Sequence, residues 1–143
     1  MVDVQFRFRD DEVVTDPAVT VDAFAEQTNA TAVRIEPGDD ARALLPQLDR
    51  IALVEVNFPA WTDGRGYSSA RVLREAGYTG EIRAVGDVVI DMLSHLKRCG
   101  FDAFAPEHPL NPDDAQAAFD RWDNVYQATD DGRRPIWALR HES

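Results

Sequence analysis

The sequence predicts an α/β protein: a three-layer parallel sheet of about four or five strands, Rossmann- or flavodoxin-like. Two observations carry this. Short apolar runs and amphipathic helical stretches alternate across about residues 31–127, with strand starts roughly 20 to 30 residues apart, as βαβ units require. The run Ile51-Ala-Leu-Val-Glu-Val56 is apolar on both faces apart from Glu55, the pattern of a strand buried between layers. A partial β/α-barrel-like segment is the alternative reading of the same alternation. The 143 residues are expected to form one domain over 1–143, with its core in about 31–127 and a C-terminal tail at 128–143.

Each element has its own warrant. Val4, Phe6 and Phe8 alternate with Gln5, Arg7 and Arg9, which predicts a half-exposed strand, with Glu12–Thr15 as a hairpin partner across Asp10-Asp11. Thr20 is placed to cap a short helix, Val21 to Gln27. Ala32 to Ile35 reads as a strand that Glu36-Pro37-Gly38-Asp39 ends. Asp39 then caps a helix to about Leu48, with Ala41, Leu44, Leu45 and Leu48 on one face and Pro46 shortening or kinking it. After the strand Ile51–Val56 comes a polar turn, then a helix from Ser69 to Ala76 that Gly77 closes. Glu81–Val85 is a second buried strand, Val88–Arg98 a helix ended by Gly100, and Phe101–Ala105 a short strand. Asn111 caps the last long helix, which starts at Pro112-Asp113-Asp114 and runs to about Gln127. Ala115, Ala118, Phe119, Trp122, Val125 and Tyr126 form its apolar face. The tail carries an apolar insert, Ile136-Trp-Ala-Leu139, which would pack back on the domain or meet a partner subunit, so a homo-oligomer stays open.

Composition narrows the function. A net charge of −11 argues against nucleic-acid and anionic-membrane surfaces, both of which reward a basic face. The single cysteine, Cys99, excludes an internal disulfide and a multi-cysteine metal site within this chain. No metal site is expected, because no two histidines share a helical spacing. No apolar run nears the roughly 20 residues of a membrane span, and no basic segment leads into an apolar one at the start, so a cytoplasmic location is expected.

In parallel α/β folds the ligand crevice lies at the carboxyl ends of the strands. That rule selects the loop after Val56, with Thr62, Asp63, Gly64, Arg65, Gly66, Tyr67 and Ser68, and the loop after Val85, with Gly86 and Asp87. Arg71 follows in the next helix. Arg83 lies inside its strand and reaches that edge only if its side chain leans toward it. Glycines flanking a charged residue let the backbone turn sharply against a ligand, and a helix start there suits an anion. The same residues are open to a plainer reading, with Asp63 capping a turn and the glycines supplying positive φ. Cys99 falls at a helix C-terminus, where the dipole disfavours a thiolate, and reads as structural.

Three blocks resemble a known family. Phe58-Pro-Ala-Trp-Thr-Asp-Gly-Arg-Gly-Tyr-Ser68 with Arg71-Val-Leu-Arg-Glu75, then Gly80-Glu-Ile-Arg-Ala-Val-Gly-Asp-Val88, then Leu96-Lys-Arg-Cys-Gly-Phe-Asp-Ala-Phe104, look like the bacterial DUF934 family. The resemblance covers about Thr31 to Gln127, and Trp61 departs mildly from the bulky residue expected there. Members are commonly labelled probable oxidoreductases involved in sulfite reduction, from the company they keep with sulfite reductase and phosphoadenylyl-sulfate reductase. The resemblance therefore implies a pathway and no catalytic residues. Two functions follow as expectations. One is an accessory protein of sulfate assimilation that binds a small anion, through Arg65, Arg71 and Arg83, or a partner reductase. The other is an oxidoreductase with Asp63 or Asp87 as acid–base group and Tyr67 as proton donor. No flavin, nicotinamide, haem or iron–sulfur signature is present in the sequence, so no cofactor is expected.

Overall fold

The computed structural model describes residues 4–127 apart from residue 28. Its strands are β1 (Phe6–Arg7), β2 (Val19–Thr20), β3 (Ala32–Ile35), β4 (Leu53–Phe58), β5 (Glu81–Gly86) and β6 (Ala103–Pro106). They form one sheet in the order β1-β6-β5-β4-β3-β2, with β1 antiparallel to β6 and every other pairing parallel. The expected α/β class stands, and the sheet is open. Two short edge strands raise the count to six.

Between the strands lie α1 (Val21–Glu26), a long 3-10 helix (Ala41–Arg50), α2 (Arg65–Glu75), a 3-10 turn (Ile90–Met92) leading into α3 (Leu93–Cys99), and α4 (Pro112–Gln127). Thr20 caps α1 by accepting from Ala23 N, as its position predicts. Asn111 Oδ1 likewise accepts from Asp114 N at the start of α4. Two boundaries differ from expectation. Asp40, rather than Asp39, caps the 3-10 helix, and Pro46 with the non-helical Gln47 keeps that segment from becoming an α-helix. Helix α2 starts at Arg65, four residues before Ser69, because Asp63 and Gly64 already supply the helix entry.

From β2 to β6 the strands run in chain order without reversal. Right-handed crossovers in a sheet of that order deliver every helix to the same side. The core agrees. Val33, Ile35, Val54, Val56, Phe58, Ile82, Ala84 and Phe104 pack with Phe24, Leu44, Leu73, Leu96 and Phe119 from the helices, in one cluster on one face. The layer on the other face is extended chain rather than helix. β1 and β2 lie at opposite edges, so residues 8–18 cross the sheet between them. Arg83 Nη2 donates to Val14 O, Arg7 Nη1 to Asp11 O, and Thr31 Oγ1 to Asp16 Oδ2 along this crossing. Glu12–Thr15 is consequently a strap and forms no hairpin with β1, whose partner is β6.

Beneath the strap lies a ladder of charge. Arg34, Glu55 and Arg83 stand side by side on β3, β4 and β5. Arg34 pairs with Glu55 at 2.8 Å, Arg83 with Glu55 at 3.6 Å and Glu81 at 2.8 Å, and Arg7 with Glu81 at 2.9 Å. Glu55, Glu81 and Arg83 are all buried. A buried charge is tolerable only when paired and hydrogen-bonded, and here each meets opposite charge. Residues 122–127 of α4 are placed as helix only, and the expected tail insert Ile136–Leu139 lies outside the described residues. No helix among the described residues is long and apolar enough to cross a membrane.

Candidate functional site

The loop between β4 and α2 is built as a rigid projection. Asp87 N donates to Phe58 O at 2.7 Å, and Asp87 Oδ2 accepts from Trp61 N at 2.8 Å, so the end of β5 staples the loop. Asp63 N closes a turn on Ala60 O at 2.9 Å. Gly86 has φ +95°, and a Cβ there would lie 2.5 Å from Phe58 O and 2.6 Å from Asn57 Oδ1. Only glycine allows that approach. Gly66 answers to a different demand. A Cβ at Gly66 would lie 2.8 Å from Phe58 Cζ and Val56 Cγ1, so its absence lets the first turn of α2 sit on β4.

Asp63 and Arg65 are closed on each other. Asp63 Oδ1 accepts from Arg65 N and Nε, both at 3.0 Å, and Oδ2 from Nη2 at 2.7 Å. The Arg65 side-chain and backbone donors hold the Asp63 carboxyl down to about 2. The plainer reading of Asp63 as a cap is therefore met, with the Arg65 side chain clamped as well. Thr62 and Gly64 are exposed in the same loop.

The remaining candidates separate. Arg65, Gly66 and Ser68 line a cleft of about 320 Å³ between α2 and the long 3-10 helix, with Ser69, Arg42, Glu36, Asp39 and Asp40. Tyr67 and Arg71 face α3 instead. Arg71 Nη2 lies 3.5 Å from Cys99 Sγ, Cys99 Sγ lies 3.8 Å from His95 Nε2, and the Tyr67 and His95 rings are 4.7 Å apart. Burial, then the neighbouring Cys99, pushes the Tyr67 hydroxyl up from its ordinary range. Cys99 is buried, as its place at the end of α3 suggests. Arg83 belongs to neither flank. Period two turns it to the strap face, where Glu81 and Glu55 hold it, so it does not join the loop residues.

Sequence reasoning missed Ser69, Arg42, Asn57 and Glu36 in the cleft. Ser69 was taken as the first residue of a helix that in fact begins four residues earlier, and Glu36 as part of a turn. The cleft exists because β3 and β4 are neighbours, which no local pattern announces.

The three blocks that carry the family resemblance also meet in space. Arg74 donates Nε to Gly100 O, Nη1 to Tyr78 O and Gly80 O, and Nη2 to Asp102 Oδ2, while Asp102 Oδ1 accepts from Ile82 N. These bonds tie α2, β5 and the end of α3 together.

Fold and site together define an α/β protein with a projecting, pinned loop and a small polar cleft at the carboxyl edge of its parallel strands. The chain belongs to DUF934, a family of bacterial proteins of unknown function, whose model matches residues 32–137. No curated protein and no solved structure matches it.

Proposed function

We propose that this protein is an accessory factor of assimilatory sulfate and sulfite reduction that engages a partner reductase through the carboxyl edge of its sheet. The pathway comes from the family resemblance and the company such chains keep with sulfite reductase and phosphoadenylyl-sulfate reductase. The observation that carries the docking role is Trp61. It is 56% exposed on a loop whose backbone Asp87 holds in place. Tryptophan is among the residues that concentrate binding energy at interfaces, and a pre-ordered loop loses little freedom on docking.

Two other readings have less support. For a small anion, Arg65 is already neutralised by Asp63, and Arg83 lies on the strap face. For an oxidoreductase using Asp63, Asp87 and Tyr67, a carboxyl held to about 2 is a weak base at neutral pH. One oxygen of Asp87 serves the Trp61 N–H, and the raised Tyr67 hydroxyl is a poorer proton donor.

The test is direct binding to sulfite reductase and, separately, to phosphoadenylyl-sulfate reductase from the same cell. A saturable complex with one of them is expected, weakened about thirtyfold by Trp61→Ala, the effect of losing an interface anchor worth about 2 kcal/mol. Binding to neither, together with a deletion strain that grows on sulfate as well as it grows on cysteine, would overturn the proposal.

A further inference from the structure

The strap across the charged face is held by side chains rather than by a strand ladder. No backbone group of residues 11–17 bonds another backbone group among the described residues. Arginines rising from the sheet take its carbonyls instead. Arg7 donates through Nη1 to Asp11 O at 2.6 Å and through Nη2 to Glu12 O at 3.2 Å, and Arg83 Nη2 reaches Val14 O at 3.5 Å. One more bond, from Thr31 Oγ1 to Asp16 Oδ2 at 2.6 Å, ties the far end. The strap buries little apolar surface of its own. Val13 is 44% exposed, and of residues 11–17 all but Val14 are exposed.

The two ends are fixed more firmly. Phe8 sits in the core cluster, Arg9 Nη1 meets Asp102 Oδ2 at 2.8 Å, and Val19 pairs with Val33 in β3. Residues 11–17 can therefore lift without breaking any pairing between strands. What they cover favours lifting. Glu55, Glu81 and Arg83 are 6%, 1% and 4% exposed. Taking charges out of water can cost as much as their pairing returns, so rehydrating the ladder is close to neutral. Segments with few buried apolar contacts and few backbone bonds open well below the free energy of global unfolding.

Charge gives the opening a consequence. Closed, Asp11 Oδ1 pairs with Arg7 Nη2 at 2.8 Å. With the strap lifted, Asp11 leaves, and the face presents Arg7, Arg34 and Arg83 against Glu55 and Glu81. A chain of net charge −11 thereby uncovers a face with a surplus of guanidinium.

We infer that residues 11–17 are a releasable latch: they open as a unit while the sheet stays folded, and the open state displays this arginine-rich ladder. The latch is independent of the Trp61 docking role, and either can fail without the other.

The test is hydrogen exchange by NMR on the wild-type chain, comparing the Arg83 Nε–H with backbone amides of β4 and β5 after correction for intrinsic rates. Arg83 Nε donates to Glu81 Oε2 at 2.9 Å beneath the strap, so it meets water when the strap lifts. The amides of Val54 to Val56 and Ile82 to Ala84 are locked in the sheet. The Arg83 Nε–H should be protected about a hundredfold less than those amides. Asp16→Ala removes the exposed bond to Thr31 and should speed Arg83 exchange about fivefold, the effect of losing one hydrogen bond, with the β4 and β5 amides unchanged. Equal protection of the side chain and the amides in the wild type would show that the strap opens only with the whole fold, and would overturn the inference. So would an Asp16→Ala variant in which Arg83 exchange is unchanged, or in which side chain and amides speed up together.

Discussion

Helix α2 carries two polar flanks, and they differ in kind. Toward α3, Tyr67, Arg71, His95 and Cys99 touch one another. Toward the long 3-10 helix, Ser69, Glu36, Asp39, Asp40 and Arg42 line an open cleft. The residue types overlap, yet the α3 flank is closed on itself and the other borders a cleft. A reactive-looking cluster whose members satisfy each other is weak evidence for a ligand.

The largest effect should come from breaking the element both flanks share. Gly66→Val drives a side chain into Phe58 and Val56 beneath α2, and should destabilise the fold by about 3 kcal/mol in urea unfolding. A loss under about 1 kcal/mol would mean that the helix start shifts freely.

Next is the α3 flank by itself. Cys99→Ala removes a buried sulfur from a packed position and should cost about 1 kcal/mol by the same measurement. In the native protein Cys99 should also react with a thiol reagent far more slowly than in the unfolded chain, and rapid native labelling would show that the flank is open.

The smallest effect lies at the helix entry. The folded Asp63 carboxyl, at about 2, sits below its ordinary 3.8, so it binds fewer protons than in the unfolded chain. Its clamp with Arg65 therefore favours folding above about pH 4, and that contribution drains away as the pH falls through about 2. Arg65→Ala should return the Asp63 carboxyl, followed by carboxyl NMR, toward 3.8. A value still near 2 would show that backbone donors, rather than the guanidinium, hold it.

Legibility in the sequence followed the range of the interaction. The apolar alternation of β4 and β5, the Thr20 and Asn111 caps and the Gly100 helix end were readable because each depends on residues within a few positions. The loop Thr62–Ser68 was readable as a strand-end feature. The two flanks of α2 were not, since Ser69 and Arg71 differ only in which neighbouring helix they meet. Arg83 shows the same boundary. Its neighbours in sequence suggested the site edge, while strand parity and Glu81 turned it to the strap face.

By itself the sequence determined the α/β class, the alternation of strands and helices from β3 to α4 and the polar turn after β4, because hydrophobic period and turn chemistry are local. The tertiary structure alone decided the strand order, the strap across the charged face, the knot of Arg74 and Asp102, and the cleft beside α2. Each of these joins residues distant along the chain, and their contact depends on which strands lie side by side.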